Sequence, residues 1–566
     1  MLPSHATDFM GWSWPQIEPH VADLLARPLD AGNVDAWLAD WSHLSALIYE
    51  RYQRLYVATT VNTADAAADR AYRRYLDEIY PPAQDAEQRL KQKLLAYRDA
   101  GGPDPVGFAI PLRNLKAEAD LYREANLPFL SQELQLANEY DKISGAQSVD
   151  WDGEELTISQ LGPFGRDPDR AVRQRAWQLA AERQLADRRA IDDLWVQLLD
   201  LRGRLAANAG RASYRDFRWQ QMLRFDYSPA DCKCFHRAIE KVVVPAVQRL
   251  HEKRRQRLGV DVLRPWDLVV DPFSRPPLKP FDDVAQLEDG VEAIFRRVDA
   301  GLADYFAVMR REGLLDLDNR KNKAPGGYCT DYPVAGRPFV FMNAVGLHED
   351  VQTLLHEGGH AFHVFESAGL PYFQQMQVPL EFAEVASMGM ELLAAPYLAA
   401  EMGGFYTPAD AQRALAEHLE DVLTFWPYMA VVDAFQHWAY ENPVAAGDPA
   451  NCDAQWTALW QRFMVGVDWR GYEEVLATGW QRKLHILQVP FYYVEYGLAQ
   501  LGALQIYRNA HRDQAGAVAA YRQALALGGT VTLPELYAAA GAKFAFDAET
   551  LGDVVQIIEA KLGGDV

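Results

Sequence analysis

The chain contains a stretch whose residue types and spacing could perform chemistry, a His-Glu-x-x-His motif that runs from His356 to His360. Residues four apart lie on the same face of a helix, so the two imidazoles can reach one metal ion. Glu357 points to the edge of that site, where it can take a proton from a water molecule on the metal. Apolar residues flank the motif and predict a largely buried helix, which favours a shared metal over two surface histidines.

A catalytic zinc site needs a third protein ligand, and the motif alone does not supply it. In a longer form of this motif, a glycine and then a third histidine follow, and that histidine is the third ligand. This chain has His363 in place of the glycine and Glu366 in place of the histidine, so the longer motif is absent. Better donors are Glu381, Glu384 and Glu391, which lie in a second apolar helical run. Carboxylates in such a run should be paired or metal-bound, and the alternative is a solvated stripe.

Together the two stretches resemble the thimet oligopeptidase and oligoendopeptidase F family of zinc peptidases. The sequences that carry the resemblance are HEGGHAFH, from His356, and PLEFAEVASMGMELL, from Pro379. The resemblance implies that His356, His360 and Glu384 hold one Zn²⁺ per chain. It also implies that Glu391 orients a ligand histidine from behind, with Glu381 as a weaker candidate for the same role.

A third stretch contains a histidine followed by tyrosines, namely His485, Tyr492, Tyr493 and Tyr496. Amide hydrolysis builds negative charge on the substrate oxygen, and a protein donor must help to stabilise it. Periodicity alone favours aromatic packing, whereas the resemblance implies that His485 and a tyrosine pair hold substrate and stabilise the oxyanion. The family's pair is three apart, which favours Tyr493 and Tyr496 and leaves Tyr492 as an alternative. The spacing fits the oligoendopeptidase F branch better than the thimet branch.

Other metal-capable residues are interpreted as structural. Cys232 and Cys234 are followed by His236, but no second Cys/His pair lies nearby in the sequence. Asp433 and His437 lie in a stretch typical of the same family, where a histidine is more often structural than catalytic. Neither group is therefore assigned to the active site.

Composition limits the classes of partner and compartment. The 566 residues are 49% hydrophobic, as in a globular protein, and carry a net charge of −22 that disfavours nucleic acids and anionic membranes. The sequence has no apolar run of membrane-spanning length and no recognisable signal peptide. Four cysteines in so long a chain fit a reducing compartment, so we expect a cytoplasmic protein. Oligomeric state is not readable from these features.

Helical periodicity extends over most of the chain, including a run over residues 34–98 that Pro81 and Pro82 are expected to break. Asp152-Gly153 between two alternating segments predicts a β-hairpin. Residues 339–345 are expected to form an edge strand that binds extended substrate, or a strand that only packs against the motif helix.

The predicted fold class is mainly α, with a small β-sheet beside the zinc helix. The resemblance implies two helical lobes that enclose a deep substrate channel. We predict an N-terminal helical lobe over residues 1–162 and a zinc peptidase catalytic region over residues 163–566.

These observations predict a zinc-dependent endopeptidase that cuts internal bonds of short oligopeptides, with Glu357 as general base. A helical zinc carboxypeptidase or dipeptidyl carboxypeptidase would use the same chemistry, although no Arg or Lys stands out to capture a terminal carboxylate. A second alternative is a non-catalytic peptide-binding protein, against which the intact Glu357 argues. A site of two histidines and one glutamate would also suit manganese or cobalt.

Overall fold

The computed structural model describes residues 1–563, most of which are helical, and this confirms the mainly α class. The chain packs as two compact units. Unit 1 comprises residues 1–119, 277–415 and 498–544. Unit 2 comprises residues 120–276, 416–497 and the described residues from 545 onward. The predicted division at residue 162 stays a prediction.

The helices and strands of the described residues follow in chain order. The α-helices are α1 Ala6–Phe9, α2 Trp14–Ala26, α3 Val34–Val61, α4 Ala66–Glu78, α5 Tyr80–Asp99, α6 Ala109–Leu121, α7 Leu127–Gly145, α8 Gly162–Gly165, α9 Arg170–Ala186, α10 Arg188–Asn208, α11 Tyr214–Gln221, α12 Pro229–Leu258, α13 Val284–Val298, α14 Ala300–Glu312, α15 His348–Ser367, α16 Leu380–Ala394, α17 Pro408–Glu441, α18 Pro443–Ala446, α19 Pro449–Phe463, α20 Glu473–Ala477, α21 Leu484–Leu487, α22 Val494–Ala510, α23 Gln514–Ala526, α24 Leu533–Ala539 and α25 Ala548–Gly563. The strands are β1 Ser148–Trp151, β2 Glu154–Thr157, β3 Leu315–Asp318, β4 Tyr328–Tyr332 and β5 Arg337–Ala344.

The N-terminal helices differ from the expectation in where they break. Pro81 and Pro82 lie in the first turn of α5, where a missing N–H costs no helical hydrogen bond, so they start a helix. The real interruptions fall at residues 62–65 and at Ile79. Searched over the described residues, no helix is both long and apolar enough to cross a membrane.

Two small sheets are present in the described residues. Strands β1 and β2 pair as an antiparallel hairpin in unit 2, as predicted, and Asp152 and Gly153 at its turn have positive φ angles of 57° and 90°. In unit 1 the strand order is β3-β5-β4, with β5 parallel to β3 and antiparallel to β4. This three-stranded sheet packs against α15, as expected for a sheet beside the motif helix.

The expectation of an edge strand at residues 339–345 is wrong, because these residues lie mainly in β5, the central strand. Both edges of β5 pair with neighbours, so little of its backbone is left to bind an extended peptide. The edge strands of this sheet are β3 and β4. Of the two, β4 contacts α15, so it replaces β5 as the candidate for backbone pairing with substrate.

The start of α15 is fixed by a side chain in its first turn. The carboxylate of Asp350 accepts hydrogen bonds of 2.8 Å from the backbone N–H groups of Val345 and Leu347. A carboxylate here satisfies N–H groups at the entry to the helix and complements the helix dipole. The helix that carries the His-Glu-x-x-His motif therefore begins at a defined residue.

Helices α15 and α16 pack closely at Gly359. A Cβ atom at this position would lie 2.4 Å from the carbonyl oxygen of Ala386 and 2.6 Å from the Cα atom of Ser387. Both atoms belong to the backbone of α16, which cannot turn aside as a side chain could. Only glycine therefore permits this separation of the two helices.

Replacing Gly359 by alanine is expected to destabilise the protein by about 1–3 kcal/mol, because the added methyl group must push α16 away. The higher helix propensity of alanine offsets only part of this cost. Thermal unfolding should show a midpoint several degrees below that of the parent.

The matched control is Gly369→Ala, just beyond the end of α15, where an added Cβ would meet no atom within 4 Å. Its midpoint should equal that of the parent. Equal midpoints for the Gly359→Ala and Gly369→Ala variants would contradict the claim that α15 and α16 are in backbone contact.

Candidate active site

The structure brings His356, His360 and Glu384 together from two packed helices of unit 1. Nε2 of His356 lies 3.4 Å from Oε2 of Glu384, and Nε2 of His360 lies 3.8 Å from the same oxygen. The three donor atoms are all within 4.8 Å of one another. Ligands of a tetrahedral zinc ion lie roughly 3.4 Å apart, so small side-chain rotations would complete a site.

Two further contacts hold this donor set in place. The other ring nitrogen of His356, Nδ1, lies 2.6 Å from Oε1 of Glu391, one hydrogen bond away. Ser387 donates a hydrogen bond of 3.0 Å to Oε2 of Glu384. Glu391 lies two turns beyond Glu384 on α16, so one helix supplies both a donor and the group that orients His356.

The electrostatics of the donor set favour a bound cation. Burial opposes protonation of His356, but hydrogen bonds to Glu384 and Glu391 outweigh it and raise the pKa of His356 well above its usual value. Burial also opposes ionisation of Glu384, yet the two imidazoles hold its pKa below the usual value. The pocket therefore attracts positive charge, and two imidazoles with one carboxylate fit a divalent metal ion.

Glu357 follows His356 in α15 and is not a member of this donor set. The residue is buried, and its Oε2 has no hydrogen-bond partner within the described chain. Burial raises the pKa of Glu357 to about 7; the charge of His356 opposes this rise and the charges of Glu384 and Glu391 add to it. A buried carboxylate with an unused oxygen can accept a proton from a reacting group placed next to it.

The remaining candidates near the motif have other contacts. Glu366, which stands where the longer motif has its third histidine, accepts a hydrogen bond of 2.7 Å from Arg522. His363 is buried against Phe382, and burial lowers its pKa to about 3. Glu381 is buried in the first turn of α16, and its charge adds to the effect of burial in raising the pKa of Tyr537. The structure thus places Glu391 against the ring of His356.

His485 and the tyrosines form a second cluster, in unit 2. The ring centroid of His485 is 4.7 Å from that of Tyr493 and 6.1 Å from that of Tyr496, and the two tyrosines are 5.7 Å apart. Tyr492 is also in contact, 5.3 Å from Tyr496. Tyr493 precedes the first residue of α22 and Tyr496 lies in its first turn.

A strained residue holds this tyrosine segment. Phe491 is buried with a left-handed φ of 65°, a conformation that a bulky side chain adopts only under constraint. Its N–H donates to Oε1 of Gln436 over 2.7 Å, and its carbonyl accepts from Arg224 over 2.6 Å. These two buried hydrogen bonds fix the backbone just before Tyr492 and Tyr493.

Sequence reasoning missed Lys483, whose ammonium group lies 3.9 Å from the ring centroid of Tyr493. Burial lowers the pKa of Lys483 to about 8, and its charge adds to the burial that lowers the pKa of His485 to about 4. No spacing pattern singles out a lysine two residues before a histidine. Only the fold shows that a cation lies against the tyrosine ring.

A cavity of about 520 Å³ lies along the edge strand β4 in unit 1. Its lining includes Tyr49 and Tyr56 of α3, together with Tyr328 and Asp331 of β4. Tyr56 is 37% exposed and forms part of the wall of this cavity.

Comparisons with known proteins agree with the motif-based resemblance. The sequence model of peptidase family M3 matches residues 164–552. Pz peptidase A, solved with an inhibitor, is 27% identical with a TM-score of 0.85, and 98% of this chain and 97% of that chain are covered. A protein assigned as an oligoendopeptidase F is 28% identical to this chain with a TM-score of 0.85. The match covers 97% of this chain and 96% of that chain. Oligoendopeptidase F from Enterococcus faecium shares the fold at 13% identity and a TM-score of 0.61. The match covers 97% of this chain and 96% of that chain. No curated protein matches the sequence.

Replacing Glu391 by glutamine should weaken zinc binding by roughly 10- to 100-fold, because His356 loses the carboxylate that orients its ring and raises its basicity. The measurement is a competition titration against a chromophoric chelator. Glu366→Gln is the matched control, since it neutralises a carboxylate of α15 that pairs with Arg522. Equal zinc affinity in the Glu391→Gln variant and the parent would contradict an orienting role for Glu391.

Proposed function

This chain belongs to peptidase family M3, whose members are metallopeptidases, and we propose that it is a zinc-dependent endopeptidase that cuts internal bonds of short oligopeptides. The observation that carries the proposal is the convergence of His356, His360 and Glu384, with the unpartnered oxygen of Glu357 beside them. Two imidazoles and a carboxylate leave room in a tetrahedral site for one further ligand. A site that only stabilised the fold would be closed by a fourth side chain.

His356, His360 and Glu384 would hold one zinc ion in this site, and Glu391 would keep the ring of His356 aimed at it. A zinc ion held there supplies Lewis acidity, which polarises the scissile carbonyl and makes water more acidic. Glu357 accepts the proton from the attacking water and delivers it to the leaving amine.

The edge strand β4 is our candidate for binding the substrate backbone. An extended peptide can add to an exposed edge through main-chain hydrogen bonds, while adjacent cavities accept alternate side chains. The cavity lined by Tyr49, Tyr56 and Tyr328 lies along this edge and is large enough for an aromatic side chain. Short peptides are therefore the expected substrates.

We assign His485, Tyr493 and Tyr496 to substrate binding and oxyanion stabilisation, with Tyr492 as the alternative member of the pair. The assignment rests on the resemblance to the family and on the mutual contacts of these rings. Burial raises the pKa of Tyr493, so its phenol stays protonated and can donate a hydrogen bond to a developing negative charge.

Lys483 favours one alternative, a carboxypeptidase or dipeptidyl carboxypeptidase. Such enzymes need a cation that captures the terminal carboxylate of the substrate, and Lys483 lies against the proposed catalytic Tyr493. Non-catalytic peptide binding has no comparable support, because a binder has no use for Glu357. We also place the protein in the cytoplasm, a proposal that rests on its few cysteines.

An internally quenched peptide blocked at both ends should be cut at internal bonds, with the products identified by mass analysis. A chelator should abolish the cleavage and added zinc should restore it. Cleavage that requires a free C-terminus would instead identify a carboxypeptidase and contradict the endopeptidase assignment.

Replacing Glu357 by glutamine should lower kcat by about 10²- to 10⁴-fold, because the amide cannot accept the proton of the attacking water. The zinc content should stay at the parent value, since Glu357 is not among the proposed ligands. The matched control is Glu349→Gln, which neutralises an exposed carboxylate in the first turn of the same helix. A Glu357→Gln variant as active as the parent would refute the role of this residue.

A further inference from the structure

A second group of metal-capable side chains lies in unit 2. Helix α12 carries Cys232 and His236, and helix α17 carries Asp433 and His437. In each pair the two residues are four apart, so they lie on one face of their helix. All four side chains are at least 95% buried.

Three of the four residues have donor atoms close enough to share one ion, and His236 lies beside this set, bonded to Asp433. Ligand atoms of Cys232, Asp433 and His437 all lie within 4.8 Å of one another. Oδ2 of Asp433 is 2.8 Å from Nε2 of His236 and 3.3 Å from Nε2 of His437. The 3.3 Å separation matches that of two ligands on one tetrahedral zinc ion, and it is close to the 3.4 Å between His356 and Glu384.

The group has donor capacity that the described protein atoms do not use. Neither ring nitrogen of His437 has an aligned hydrogen-bond partner among the described residues, despite the short distance to Asp433. Oδ1 of Asp433 is likewise buried without a partner in the described chain. Trp219 and Phe491 pack against the ring of His437. Unpaired buried polar atoms destabilise a fold, and a ligand bound in the cluster would offset that cost.

The residue types in this cluster also suit a cation. Asp433 supplies a carboxylate, and Cys232 supplies a thiol that loses its proton when it binds a metal. One divalent ion would compensate the charge of both buried ligands.

We propose that Cys232, Asp433 and His437 form a second metal site, which holds a structural zinc ion between α12 and α17, and that His236 becomes its fourth ligand when its ring exchanges the hydrogen bond to Asp433 for the ion. One thiolate, two imidazoles and one carboxylate are ligands that suit zinc, and four side chains close a tetrahedral site. With no position left for water or substrate, this ion crosslinks two helices and takes no part in hydrolysis. The expected zinc content rises from one to two ions per chain.

Neighbouring sequence gave no reason to expect this site. No second Cys/His pair lies near Cys232 and His236 in the sequence. The other two members of the cluster, Asp433 and His437, lie about 200 residues further along the chain. Their i,i+4 spacing is ordinary for two helices in a core. Only the contact between α12 and α17 brings the two halves together.

Zinc content distinguishes the two sites in the full-length chain produced in zinc-supplemented medium. We expect two zinc ions per chain in the parent and one in His356→Ala, which removes a ligand of the first site. Cys232→Ser should also hold one ion and should unfold at a lower temperature than the parent. Parent protein with a single ion that His356→Ala loses would overturn the proposal, and a single ion that His356→Ala keeps would support the second site while counting against the first.

Protein produced with cobalt in place of zinc gives a reading specific to sulfur. The second site has a thiolate and the first has none, so a sulfur-to-cobalt charge-transfer band should appear in the parent and persist in His356→Ala. Cys232→Ser should abolish the band, and the matched control Cys234→Ser, two residues along α12, should retain it. Absence of the band from cobalt-loaded parent would overturn the proposal, and that reading does not depend on whether Cys232→Ser folds.

Discussion

The backbone contact between α15 and α16 is the constraint on which the proposed active site depends. The histidines lie on one helix and Glu384 on the other, so the donor set exists only while the helices keep their separation. Gly358 and Gly359 cost helix stability, by about 1 kcal/mol each relative to alanine. They are accommodated because Phe295 fills the space next to Gly358, and the backbone of α16 fills the space next to Gly359. The two residues between Glu357 and His360 thus act in packing rather than in chemistry.

Burial of like charges explains the electrostatic behaviour of the site. Glu357, Glu384 and Glu391 are all buried near the same two imidazoles. Without a cation, His356 gains a proton between Glu384 and Glu391, and Glu357 is held partly protonated by its surroundings. A divalent ion would compensate the same negative charge more completely, so metal binding and folding of this unit should be coupled. In unit 2, Asp433 is likewise a buried carboxylate beside two imidazoles, those of His236 and His437.

Local patterns predicted those features that depend on residues close in sequence. The spacing of His356 and His360 predicted that both lie on one helix face. The apolar run around Glu384 predicted a buried carboxylate that is paired or metal-bound. The hairpin at Asp152-Gly153 followed from turn chemistry. Pro81 was misread because proline at the first turn of a helix and proline after its end look alike in a sequence.

Features that depend on pairing across the chain were beyond sequence reasoning. The position of β5 at the centre of its sheet requires knowing that β3 joins it, and nothing in the apolar sequence of β5 specifies an edge or a centre. Tyr56 of α3 and Tyr328 of β4 are far apart in the sequence, and only the folded chain shows that they line one cavity. Lys483 and Tyr493, like Cys232 and Asp433, meet only in the folded chain.

The most direct test of this account is an anomalous difference map, measured at the zinc absorption edge on crystals grown with zinc. The account predicts a strong peak within bonding distance of Nε2 of His356, Nε2 of His360 and a carboxylate oxygen of Glu384. The carboxylate of Glu391 should be hydrogen-bonded to Nδ1 of His356. A fully loaded crystal with no peak among these three side chains would contradict it. In that case the convergence of α15 and α16 would serve packing alone.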